Sequence, residues 1–142
     1  MSNTASIQVS HTYKVSKDEL WKAITEPDQM RKWFFDNMPD FKLEKGFETH
    51  FPVHSEERKF EHQWKVLDFK LQEFYLVSWT YAEYPGEGLV EYRVESHESG
   101  SKLTVSFSGL ESFPQDIPEF KRESCIGGWE YFLKDRLKAY LS

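Results

Sequence analysis

Residues 74–108 read FYLVSWTYAEYPGEGLVEYRVESHESGSKLTVSFS. Three runs within this stretch, Phe74–Tyr81, Leu89–Glu95 and Leu103–Ser108, are rich in aromatic and β-branched residues. The last two alternate apolar with polar side chains. A period of two is the mark of a strand, because successive side chains on an extended backbone point to opposite faces. The separators Y-P-G-E-G and H-E-S-G-S carry turn residues, so neighbouring runs are expected to pair antiparallel. Upstream the pattern continues through F-K-L-E, F-E-T-H-F-P-V and F-E-H-Q-W-K-V, punctuated by E-K-G, S-E-E-R and K-L-Q-E. Six consecutive strands are therefore predicted between Asp40 and Ser108. Pro52, which has no N–H to give to a ladder, places its strand at an edge or a bulge.

The flanks of this run differ from it. Ile7–Val15 alternates with Ile7, Val9, His11, Tyr13 and Val15 on one face, which adds a seventh strand. Ser16 followed by Glu19 forms a capping box and starts a helix over Lys17–Thr25, with Leu20, Trp21 and Ile24 as its apolar stripe. Pro27 ends that helix and opens a second, P-D-Q-M-R-K-W-F-F, in which Met30, Trp33 and Phe34 recur at helical spacing. After the loop E-S-F-P-Q, Asp116 and Glu119 form a capping pair for a long C-terminal helix, with Pro118 in its first turn. Cys125, Trp129, Phe132, Leu133 and Tyr140 share one face of it, with Ile126 and Leu137 on the flank. Gly127 points away and Gly128 lies at the border of that face. Two glycines inside a helix are costly, so the pair is expected to kink it and shape the mouth of a cavity. The order of elements predicts an α+β fold: a curved antiparallel sheet of about seven strands around a long C-terminal helix, with two short helices after the first strand. A half-barrel of this kind leaves a cleft between sheet and helix.

Length and composition narrow the function. The 142 residues fit one domain, residues 1–142, large enough for a core without staples. One cysteine, Cys125, cannot close an internal disulfide, and the N-terminus has no basic region followed by an apolar stretch. A cytoplasmic protein with no membrane insertion is the expectation. A net charge of −6 disfavours nucleic acid as a partner, since phosphate binding needs a positive surface. Phe, Tyr and Trp make up 17% of the chain against an ordinary hydrophobic total of 39%, so rings must do much of the burying.

Val15–Phe34, V-S-K-D-E-L-W-K-A-I-T-E-P-D-Q-M-R-K-W-F, resembles the opening of the START-like (SRPBCC, helix-grip) superfamily. The stretches S-K-L-T-V-S-F-S-G-L, G-G-W-E-Y-F-L and L-K-A-Y-L resemble its branch of homologues of the activator of the ninety-kilodalton heat-shock protein ATPase. The resemblance implies a helix-grip fold with a hydrophobic cavity, in a superfamily that runs from lipid and hormone carriers to aromatase/cyclases. Its motifs mark helix packing and bring no catalytic constellation. Eukaryotic chaperone activators carry a separate docking domain before this unit, whereas this chain opens on the first strand, so a chaperone partner is disfavoured.

The candidate ligand-binding residues are Trp33 and Phe34 on the short helix, Phe51, His62, Trp64, Trp79, Tyr81, Tyr92 and Phe107 on strands, and Trp129 and Phe132 on the long helix. Any one ring is adequately explained as core; the set together suits the lining of a half-barrel. Both faces of the run Phe74–Tyr81 carry apolar residues, so alternation leaves open which face Trp79 and Tyr81 take. His62 shares a face with Phe60, Trp64 and Val66. A cavity histidine can donate to a ligand or act as a general base, and a hydrogen-bonded core histidine is the plainer reading. His50 and His54 lie opposite Phe47, Phe51 and Val53 on a solvated face, without the further ligands a metal requires. Cys125 lies on the apolar face of the long helix and reads as packing. No catalytic motif, metal site or cofactor is indicated. The expected function is non-catalytic binding of a small hydrophobic or aromatic molecule; the rivals are a cyclase/aromatase-type enzyme using His62 with Tyr81 or Tyr92, and a chaperone ATPase accessory protein.

Overall fold

A computed structural model describes residues 6–142. Strand β1 (Ile7–Tyr13) leads into helices α1 (Lys17–Thr25) and α2 (Pro27–Trp33), followed by β2 (Glu48–Ser55), β3 (Arg58–Lys70), β4 (Phe74–Tyr81), β5 (Gly88–His97) and β6 (Gly100–Ser108). Two short 3₁₀ turns, Leu110–Ser112 and Pro118–Phe120, precede helix α3 (Arg122–Glu130). That helix continues as a π-helical segment, Tyr131–Leu137, and closes with the α-turn α4 (Lys138–Tyr140).

The six strands form one antiparallel sheet in the order β1-β6-β5-β4-β3-β2. Strands β2 to β6 are a meander, as their short turns dictate. Strand β1 returns beside β6 and β2 lies at the far edge, so the chain between them must cross the whole sheet, and α1 and α2 make that crossing. Pro52 sits on the edge strand β2, with its ring exposed. Register settles the face of β4. Trp64 is opposite Trp79, Trp79 opposite Gly88, and Tyr75 opposite Tyr92, so Tyr75, Val77, Trp79 and Tyr81 point inward. Phe74 and Leu76 point outward, where the Arg93 guanidinium lies 4.8 Å from the centre of the Phe74 ring.

Three expectations are corrected. The sheet has six strands, not seven, because Phe41–Glu44 is not extended into a ladder. The Asp40 carboxylate takes the Phe41 N–H at 2.8 Å, a local bond that competes with pairing, while the Phe41 ring is buried against Phe47 and Tyr75. The capping box of α1 is half made: the Ser16 hydroxyl accepts the Glu19 N–H at 3.1 Å, but the Glu19 carboxylate faces that same hydroxyl at 3.5 Å. The C-terminal helix begins at Arg122, beyond Pro118, which was expected in its first turn. Asp116 and Glu119 do not cap it. Glu119 is bound instead by Arg58, at 2.8 and 3.2 Å, and by the Ser55 hydroxyl at 2.7 Å, which ties the β2–β3 turn to the Pro118–Phe120 turn.

The glycine pair lies within regular α3, and a Cβ at either position would meet nothing within 4 Å. The irregularity comes one turn later. In a π segment the i→i+5 bonds widen the turn, so each residue advances less around the axis. Leu137, expected on the flank, is thereby brought to full burial, and Tyr140, expected on the buried face, swings out to 37% exposure. The Tyr13 hydroxyl donates to the Leu133 carbonyl inside this segment at 2.7 Å, in a buried position. Tyr13→Phe should therefore lower unfolding free energy by about 1–2 kcal/mol in urea titration. Amide exchange should quicken over residues 131–137 first; an unchanged midpoint would show that the bond does not hold the π turn.

Candidate functional site

The inner face of the sheet is paved with rings, and one side chain organises them. Helix α2 ends at Trp33, and Phe34 leaves the helical path with φ −104 and ψ −115. Its ring enters the space between sheet and α3, stacked 4.7 Å from Trp33 and 5.6 Å from Trp64, and 4.8 Å from Phe132 and 5.8 Å from Trp129. Phe35, immediately after, lies 5.1 Å from both Phe51 and His62 and 5.2 Å from Phe132. The two consecutive rings keep the helix from settling onto the centre of the sheet. Beyond them remains an apolar pocket of about 120 Å³.

Five of the eleven candidate residues line this pocket: Trp79, Tyr81, Phe107, Trp129 and Phe132. The other six pack away from it. Trp33 is fully buried and donates its indole N–H to the Ala23 carbonyl at 2.8 Å. Tyr92 stacks on Tyr75 at 4.4 Å. Phe34, Phe51, His62 and Trp64 form the packed cluster beside the pocket. The candidate residues left out five that line the pocket, Phe35, Leu110, Phe113, Phe120 and Cys125; Gly128, expected at the cavity mouth, lines it too. A signal for part of this existed: Leu110, Phe113, Ile117 and Phe120 recur at helix-like spacing in a segment whose prolines forbid a helix, which marks a loop that is buried. Gly88 also matters here, since a Cβ on it would meet the Phe107 ring at 2.8 Å and the Phe113 ring at 3.4 Å. Gly128 is exposed and lines the pocket, so the rim lies there.

The chemistry of the lining is nearly all apolar. Burial pushes the Cys125 thiol up to about 11, and its Sγ rests 3.7 Å from the Glu119 carbonyl, so the thiolate is disfavoured. Burial raises the Tyr81 phenol well above its ordinary range; Cys125 adds to the shift and the approaching Trp79 N–H opposes it. The Trp79 indole N–H nevertheless has no partner in hydrogen-bonding geometry, although the side chain is only 4% exposed. The Trp64 N–H, in the packed cluster, is also unpartnered. His62 is enclosed by Phe51, stacked at 5.3 Å, and by the edges of Tyr81 and Trp79. Its Nδ1 lies 3.0 Å from the Phe60 carbonyl and must donate there, because a carbonyl only accepts. Burial lowers His62 to about 4, with that hydrogen bond and the charges of Glu83 and Glu61 opposing. On the outer face His50 Nδ1 meets the Glu61 carboxylate at 2.8 Å, and His54 is exposed.

The comparisons with known proteins agree with this architecture. The family model described as Activator of Hsp90 ATPase homolog 1-like protein matches residues 14–142. The chain belongs to this family. Among solved structures, protein CV1439 from Chromobacterium violaceum is 18% identical with a TM-score of 0.77, over 96% of each chain. The Aha1 dimer from Colwellia psychrerythraea is 14% identical with a TM-score of 0.71, over 97% of this chain and 96% of that one. DynU16, from the dynemicin biosynthetic locus, is 21% identical with a TM-score of 0.75, over 96% of this chain and 47% of that one. At these identities the likeness is one of fold, the START-like helix-grip. No curated protein matches. No helix among the described residues is long and apolar enough to cross a membrane.

The position of His62 has a measurable consequence. In the unfolded chain its imidazole titrates near the ordinary 6.5, so between that value and about 4 the unfolded state holds the extra proton. The stability associated with neutral His62 is complete above pH 6.5 and is lost as pH falls through about 4. Between pH 7 and pH 5 the wild type should lose about 2 kcal/mol from this group. His62→Phe should flatten that slope in urea unfolding at the two pH values; equal slopes would show that His62 does not titrate as a buried neutral group.

Proposed function

We propose that the pocket between β4 and α3 binds a small, largely apolar or aromatic molecule, and that the protein is a non-catalytic binding protein. The observation that carries this reading is the pocket itself: a space of about 120 Å³, walled by rings and lacking any ionic group. A fold in which the helix is held off an aromatic sheet face suits enclosure of a ligand, and burial of its apolar surface supplies the affinity. His62 is outside the lining with its Nδ1 donating to the Phe60 carbonyl, and Tyr92 is stacked on Tyr75; of the three residues that reading invoked only Tyr81 lines the pocket, which makes cyclase/aromatase chemistry the weaker reading. The family takes its name from homology to an activator of the Hsp90 ATPase, and the binding reading rests on the pocket rather than on that name.

Toluene is a suitable probe. It should quench tryptophan emission at one saturable site and, at about ten times its Kd, stabilise the fold by roughly 1.4 kcal/mol, a rise of about 3–5 °C in Tm. Emission and melting curves that ignore saturating toluene would contradict the reading. Gly128→Leu, at the rim, should raise Tm because leucine is the better helix former, and should weaken toluene at least tenfold by occupying the mouth.

A further inference from the structure

The pocket holds one feature that simple apolar binding leaves unexplained. Trp79 lines it, is 4% exposed, and has an indole N–H with no hydrogen-bond partner. A buried donor left unpaired is destabilising, and phenylalanine at the same place would avoid the cost. Two residues along the same strand and on the same face, Tyr81 lines the same pocket, and the Trp79 N–H comes close enough to its phenol to influence its acidity. The Trp79 N–H approaches the Tyr81 oxygen without reaching hydrogen-bonding geometry, and Phe107, Phe113 and Phe132 around it have nothing to accept a hydrogen bond. Sulfur from Cys125 is a weak acceptor and is turned to the Glu119 carbonyl.

From this we infer that the ligand is a single-ring aromatic molecule bearing a neutral acceptor oxygen, of the aryl ketone or ester class, whose oxygen accepts from Trp79 Nε1–H with the Tyr81 hydroxyl beside it. The inference rests on the binding reading above and adds the polar group of the ligand. The volume sets an upper bound of one ring: the pocket has about 120 Å³, less than the roughly 150 Å³ that holds benzene, so the remainder of the ligand must reach the open rim at Gly128. Neutrality follows from the lining, which contains no cation. Arg58, on the neighbouring hairpin, is held by Glu119. A carboxylate placed among these rings would lose its hydration without an ionic partner, whereas a carbonyl loses less and regains a hydrogen bond.

The test uses two probes of nearly the same shape, acetophenone and α-methylstyrene, which differ by an oxygen in place of a methylene, with benzoate as the charged control. Calorimetric titration of the wild type should give binding of both neutral probes and at least tenfold weaker binding of benzoate. Trp79→Phe, which keeps a ring and removes the N–H, should weaken acetophenone three- to tenfold and leave α-methylstyrene within twofold. In the wild type, the indole proton resonance that Trp79→Phe removes should move downfield with acetophenone and not with α-methylstyrene, a readout that does not depend on how well the variant folds. Equal weakening of the two neutral probes, or an indole resonance that responds to both alike, overturns the inference and leaves the binding reading intact. Failure of all three probes to bind the wild type overturns the binding reading itself.

Discussion

The wedge formed by Phe34 is the contact on which the rest of the architecture depends. Its ring leaves the end of α2 and enters the space under α3, touching the helix through Trp129 and Phe132 and the sheet through Trp64. Burying a side chain of this size contributes about 2–3 kcal/mol, and truncating it to alanine would add the cost of a cavity. Its geometric effect matters as much as its energy. With Phe34 and Phe35 inserted, the helix is held away from the sheet. The space beyond the wedge, between Trp79 and Gly128, has no side chain to fill it.

The remaining contacts place walls around that space. Strand β4 presents Trp79 and Tyr81 inward because β3 and β5 fix its register, with Gly88 clearing room for Phe107 and Phe113. The ion pair of Arg58 with Glu119 fastens the loop that carries Phe120, which stacks 5.1 Å from Phe113 in the pocket wall. The π segment turns Leu133 and Leu137 fully into the core and anchors the far end of the helix. Helix, loop and sheet are thus each held by contacts outside the pocket, which is why the pocket survives as open space.

Much of this was legible in the residues. Five of the six strands expected after Asp40 form, four of them announced by period two and β4 by its aromatic and β-branched residues, and the Ser16 cap and Pro27 delimit the first two helices as the structure has them. What was not legible depended on tertiary partners. Phe41–Glu44 alternates like a strand, but the Asp40 carboxylate claims its first N–H and its ring is drawn into the core. Glu119 has the spacing of a cap, yet Arg58, sixty-one residues away in sequence, binds it instead. The π turn left no mark in the wheel, so Tyr140 was assigned to the wrong face. In the candidate site Trp79, Tyr81 and Phe107 were among the candidates, but both faces of Phe74–Tyr81 are apolar, so only the register with β3 and β5 settles that Trp79 and Tyr81 point inward. The loop residues Leu110, Phe113 and Phe120 were not among the candidates, because proline hides their spacing from a helical reading.

The central claim is that the wedge leaves a ligand-sized space between Trp79 and α3. A crystal of the protein soaked with 4-bromoacetophenone addresses it most directly, because bromine can be located by its anomalous signal. The account predicts one anomalous peak within the pocket bounded by Trp79, Phe113 and Phe132, with the ketone oxygen within 3.2 Å of Trp79 Nε1. A pocket closed by inward movement of α3, or bromine found only on the protein surface, would contradict it.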